Sequence, residues 1–175
     1  EILVNPESNE LDQVVVHFSH ARPENLSWAI KESGEAAASR RLRRDEKATL
    51  AMGEGGETWE VRIPSARTTP FVLTGKRRTP AQGAVPIALP SLLHTPSQQG
   101  RVRVELASEY VPKLVERRVR PPGIEPAHTR TYQNPIAAYE YDPTEDLLIA
   151  KEPALELVVE SEPERRRPAW IWRCT

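Results

Sequence analysis

Histidines are the side chains best suited to metal or acid–base chemistry at neutral pH, and of the four here, His17, His20, His94 and His128, only the first two lie close together. A separation of three along a strand sends side chains to opposite faces, so His17 and His20 would share a zinc ion only if the strand bent between them. Surface or hydrogen-bonded histidines are the expected outcome. Asp142, Glu145 and Asp146 could offer oxygens to a hard cation, yet they match no calcium-loop spacing and read as an acidic turn opening at Asp142-Pro143. No metal site and no cofactor are expected.

Covalent catalysis fares no better. The chain has no Gly-x-Ser-x-Gly turn, and its single cysteine, Cys174, stands outside any nucleophile motif. The segment Gly53-Glu54-Gly55-Gly56-Glu57 has the composition of a phosphate-binding loop but puts carboxylates where the phosphate would sit, and reads as a turn. A hydrolase with two carboxylates assembled from distant strands remains an alternative, with no pair singled out among 25 acidic residues.

Arginine dominates four basic clusters: Arg40, Arg41, Arg43 and Arg44; Lys76, Arg77 and Arg78; Arg117, Arg118 and Arg120; and Arg165, Arg166 and Arg167. Neighbouring Asp45, Glu46, Glu116, Glu162 and Glu164 offset them, so solvated strand edges guarded by charge are expected. With 24 basic residues against 25 acidic ones, interspersed, neither nucleic acid nor an anionic membrane is an expected partner. Aromatic pairs give the remaining binding candidates. Tyr139 with Tyr141, and Trp170 with Trp172, each fall at i and i+2, on one face of a strand about 7 Å apart, where rings could stack on a sugar or a partner's apolar surface. The competing expectation is burial, because the chain has only ten aromatic residues with which to fill a core. Asn25-Leu26-Ser27 fits the N-glycosylation acceptor pattern, a triplet that chance produces often.

The elements that must position these residues are strands. Proline, at 17 of 175 residues, is scattered through the chain at about twice its average frequency and excludes long helices. Period-two alternation marks Thr58 to Ile63, with Trp59, Val61 and Ile63 inward, and recurs from Arg101 to Leu106 and at Leu155, Leu157 and Val159. Further strands are expected at Val14 to Phe18, Leu26 to Ile30, Phe71 to Lys76, Val85 to Leu89, Ile136 to Tyr141 and Ala169 to Arg173. One short helix is predicted over Arg44 to Met52, with Asp45 and Glu46 in its first turn and Gly53 as its cap. About nine strands with hardly any helix predict an all-β fold, a two-sheet β-sandwich.

A single domain over 1–175 is expected, with Pro121, Pro122, Gly123, Pro126 and Pro135 marking a crossover or sub-boundary at 120–135. No apolar run reaches the roughly 18 residues of a spanning helix. The opening Glu1-Ile2-Leu3-Val4 and the closing Trp-rich strand suggest a piece of a larger protein, with an extracytoplasmic or cell-envelope setting as the expectation. These readings converge on a noncatalytic structural or protein-interaction module whose partners are other domains of the same chain or a separate protein. A carbohydrate-binding module using the aromatic pairs is the alternative.

Overall fold

The computed structural model describes residues 1–6, 10–49, 56–80, 83–95, 97–105, 113–122, 135–143, 152–159 and 172–174. Within them the chain is all-β, with thirteen strands and one short helix. The first eight strands are β1 (Ile2–Val4), β2 (Leu11–Phe18), β3 (Ser27–Ile30), β4 (Ala36–Arg41), β5 (Glu57–Arg67), β6 (Phe71–Lys76), β7 (Gly83–Pro86) and β8 (Pro90–Leu92). Seven of these form one antiparallel sheet in the spatial order β1-β6-β3-β4-β5-β2-β8.

Alternation drives that sheet. Along β5 the side chains of Trp59, Val61 and Ile63 are buried and Arg62 is exposed, as the period of two requires. They meet Val14 and Val16 of β2, Trp28 and Ile30 of β3 and Phe71 and Leu73 of β6 in one apolar core. The helix, α1 (Arg44–Thr49), follows β4, and the Glu46 carboxylate accepts the Arg43 backbone N–H at 2.7 Å, one half of a capping box. It begins where the sequence placed it; residues 50–55 lie outside the described part.

The remaining strands are β9 (Gly100–Glu105), β10 (Lys113–Glu116), β11 (Pro135–Tyr141), β12 (Leu155–Val159) and β13 (Trp172–Cys174). They make two small antiparallel sheets, β10-β12-β7 and β11-β9-β13, so the described strands fall into three hydrogen-bonded sheets and not two. A second core draws on Val102, Val104, Tyr139, Tyr141 and Leu155, joined by Ile87 and Leu89. The segment between β7 and β8 ties the cores together. Ser19 exchanges hydrogen bonds with Leu89, Tyr141 donates its hydroxyl to the Pro90 carbonyl at 2.9 Å, and Ser91 donates to Pro143 at 2.7 Å.

Four strands, β1, β4, β8 and β10, are absent from the sequence expectation. The sequence of β4, Ala-Ala-Ala-Ser-Arg-Arg, has no apolar alternation, and only Ala37 is buried. It is a strand because β3 and β5 pair with it on either side, a case of tertiary context overriding propensity. Its arginines therefore occupy the middle of a sheet, which corrects the expectation of a charged edge. The proposed crossover at 120–135 lies mostly, over 123–134, outside the described residues.

Two glycines have a packing reason. Trp28 pairs across the sheet with Gly75, and Tyr141 with Gly100, and each ring lies over its glycine partner. A Cβ at Gly100 would stand 2.2 Å from the Tyr141 ring. Gly100→Ala should therefore lower stability by about 1–3 kcal/mol through overpacking, read as a shift of the urea midpoint at unchanged slope. An unshifted midpoint would show that the ring has room to move.

Candidate functional site

At one end of the large sheet the apolar interior gives way to charge. Phe18, the last residue of β2, pairs with Glu57, the first of β5, immediately after Gly56 turns the chain at a φ of +69°. Only glycine fits at that turn, since a Cβ would stand 2.1 Å from the Phe18 carbonyl oxygen. Glu57 is wholly buried. Its carboxylate contacts the guanidinium of Arg77 directly and that of Arg41 at 3.4 Å, as ion pairs and not as aligned hydrogen bonds. Arg77 itself is 8% exposed and lies 5.7 Å from the centre of the Phe18 ring, within cation–π range.

A second guanidinium stands beside this pair. Arg22 donates through Nη2 to the Pro86 carbonyl. Its pKa falls below the usual arginine value, first through burial and further through the positive charge of Arg77, while Glu24 and Glu57 act the other way. Several donors here find no acceptor: Nε of Arg22, Nε and Nη2 of Arg77, and the indole Nε1 of Trp28. A buried donor left unpaired costs about 1–3 kcal/mol, and others lie elsewhere in the described residues, at Nε1 of Trp59 and Nε of Arg67 and Arg118.

All three side chains line a cavity of about 60 Å³, together with Phe18, Ile2 of β1 and Pro90 of β8. The sheet thus curls until both of its edge strands border one hollow. A water needs roughly 10–15 Å³ by the same measure, so the space suits a few waters or one small functional group. It is far below the 300 Å³ or more of a typical small-molecule pocket, roughly speaking.

On the opposite face of β2, His17 is buried and bonds through Nδ1 to the Thr58 hydroxyl at 3.0 Å, directly across the strand pair. Burial, aided by the positive Lys47, lowers its pKa to about 4, so the imidazole is neutral at physiological pH. His20, past the strand end, contacts the Ser19 hydroxyl at 3.1 Å. His94 is exposed, while His128, Glu145 and Asp146 lie outside the described residues. Among the described residues no three His, Cys, Asp or Glu side chains gather as a metal site.

Tyr139 and Tyr141 belong to the second core, 6% and 5% exposed. The Tyr139 hydroxyl donates to Glu116 at 2.5 Å, and burial together with that carboxylate raises its pKa well above the ordinary phenol. This corrects the picture of an exposed stacking platform: both rings are consumed by packing. Trp170 lies outside the described residues, and of Trp172 only the backbone is described, paired with Val104. The acceptor triplet splits, with Asn25 exposed and Leu26 buried.

The charged end of the sheet was missed in the sequence, although parity announces it. Glu57 continues the inward series Trp59, Val61, Ile63, and Arg77 continues Phe71, Leu73, Gly75. Arg77 therefore corrects the expectation that its cluster is solvated. Arg22 sits in an irregular segment with no such signal. Compared with protein families, curated proteins and solved structures, the chain matches none.

The neutral His17 makes stability depend on pH. Its folded pKa is about 4 and an unfolded imidazole titrates near 6.5, so the unfolded chain binds the extra proton on acidification. Stability is complete above about pH 6.5 and declines as pH falls toward 4, by about 3 kcal/mol from this residue. Urea melts across this window should show the decline, and His17→Gln should flatten it. An equal slope in the variant would assign the effect elsewhere.

Proposed function

We propose that this chain is a noncatalytic interaction module of a larger protein, engaging a neighbouring domain or a protein partner at the end of the curled sheet where β1 and β8 approach. The observation that carries this reading is the small cavity between the two sheet edges, lined by Arg22, Arg77 and Glu1 and by the rings of Phe18 and Trp28. Donors and ring faces held in place by packing are binding equipment. The hollow is too small to swallow a large substrate and of a size to accept one protruding group. On the face of β1 opposite to Ile2, Leu3 is 62% exposed, an apolar contact point at the same sheet edge. We read the two three-stranded sheets around the second core as the layers of a small sandwich that supports the segment from Pro86 to Pro90 against the cavity.

A photoreactive residue placed at Leu3 should yield one dominant adduct with a defined protein or domain, identified by mass spectrometry, and the same probe at Glu35, in the turn before β4, should not. Equal labelling at both positions would remove the interaction face from this end. A panel of oligosaccharides should leave the melting temperature unchanged. A ligand at a hundredfold excess over its dissociation constant adds about 2.7 kcal/mol, so stabilisation by sugars alone would move the function to carbohydrate binding.

A further inference from the structure

We propose that the outer edge of β1 pairs antiparallel with β1 of a second copy of this chain, about a twofold axis at Leu3. The inference rests on the interaction reading above and deepens it by naming the partner and the way it docks.

The two edges of the large sheet are finished differently. At β8, the Leu93 N–H donates to the Val15 carbonyl of β2, so by alternation the backbone groups of Pro90 and Leu92 point away from the sheet. All of them are taken. The Gln98 carboxamide accepts the Leu92 N–H at 2.8 Å and donates to the Leu92 carbonyl at 3.1 Å, while Tyr141 donates to the Pro90 carbonyl and proline has no N–H to offer. A side-chain amide thus stands where the backbone of a further strand would pair, and the edge is sealed.

β1 is finished with no such cover. Lys31 donates its N–H to the Val72 carbonyl, so Val72 turns its backbone groups toward β3, and Phe71 and Leu73 turn theirs toward β1. Their partners in register are Val4 and Ile2, which leaves the Leu3 N–H and C=O directed outward. Among the described residues no group bonds to them, and Leu3 is the only exposed large apolar side chain. An open apolar edge is a template for strand addition.

Complementarity selects the occupant. With Leu3 opposite Leu3 of the copy, the two residues exchange both backbone hydrogen bonds and their side chains meet on the outer face. Ile2 then faces Val4 of the copy on the inner, core-packed face, apolar against apolar, and Glu1 faces Asn5, so no like charges meet. The Glu1 charge is already met by Lys31 at 3.0 Å. The patch fits itself, as a twofold interface requires, and with β8 sealed and β1 consumed the assembly stops at two copies. A ladder centred on a three-residue strand falls short of the roughly 1,200 Å² of a permanent interface, so the dimer is reversible.

The test is sedimentation velocity over a wide range of concentration, with isotope-filtered NOE spectra of mixed labelled and unlabelled chain at the upper end. A monomer–dimer equilibrium is expected, with a contact between the Hα of Ile2 in one copy and the Hα of Val4 in the other. Leu3→Pro removes the outward N–H without touching the bonds to β6, and Leu3→Lys sets like charges across the axis. Each should weaken the dimer at least tenfold while the backbone spectrum shows the fold retained, and Leu3→Ile should keep the dimer. A chain monomeric throughout, assemblies larger than a dimer, or a dimer indifferent to both Leu3→Pro and Leu3→Lys would overturn the proposal. A monomeric chain whose photoreactive Leu3 position captures a different protein would overturn self-pairing alone and leave the interaction reading in place.

Discussion

A carboxylate with no exposed surface must meet positive charge or give up its own, and Glu57 meets it in Arg77 and Arg41. The cost of desolvating such a pair is several kcal/mol for each ion, and removing one partner costs about 3–5 kcal/mol. That constraint joins three strands at one end of the large sheet: β5 through Glu57, β4 through Arg41 and the end of β6 through Arg77. It also decides what else can sit there. With Arg77 committed to Glu57 through one nitrogen, its other donors point where no protein acceptor stands, and Arg22 adds its own.

Charge elsewhere is handled differently. Arg40, in the middle of the same sheet, contacts Glu60 of β5 at 2.7 Å and Glu46 of α1 at 2.5 Å, on a surface open to water. Pairs of this kind contribute little energy individually. Their service is directional, because one guanidinium ties the helix to the strand beside it. Arg117 does the same between Glu156 and the loop carrying Glu152.

Period-two patterning made part of this legible. Phe71 to Lys76 is a strand over the expected residues, and Trp59, Val61 and Ile63 face inward, because one face of each strand meets a core. The reading failed where burial comes from neighbours: Ala36 to Arg41 has no pattern of its own and is ordered by β3 and β5. The candidate site was only partly legible, for a related reason. A charged residue inside a sheet is indistinguishable by type from one outside it. Parity places Glu57 and Arg77 inward, but their mutual pairing joins segments twenty positions apart, and Arg22 arrives by an irregular path.

The pairing of β1 with β6 sets Ile2 against Leu73, and that of β7 with β12 sets Val85 against Leu157. Each contact closes a loop of roughly seventy residues, whose entropic cost grows as the logarithm of length and must be met before the contact stabilises anything. Chains dominated by such distant pairings fold in milliseconds to seconds, slower than helical ones. The cavity inherits this timing. Its lining comes from Ile2, Phe18, Arg22, Trp28, Arg77 and Pro90, so no local folding unit contains it. During synthesis the hollow can form only after Pro90 has emerged, and Ile2 and Arg77 border it together only once β6 has paired with β1.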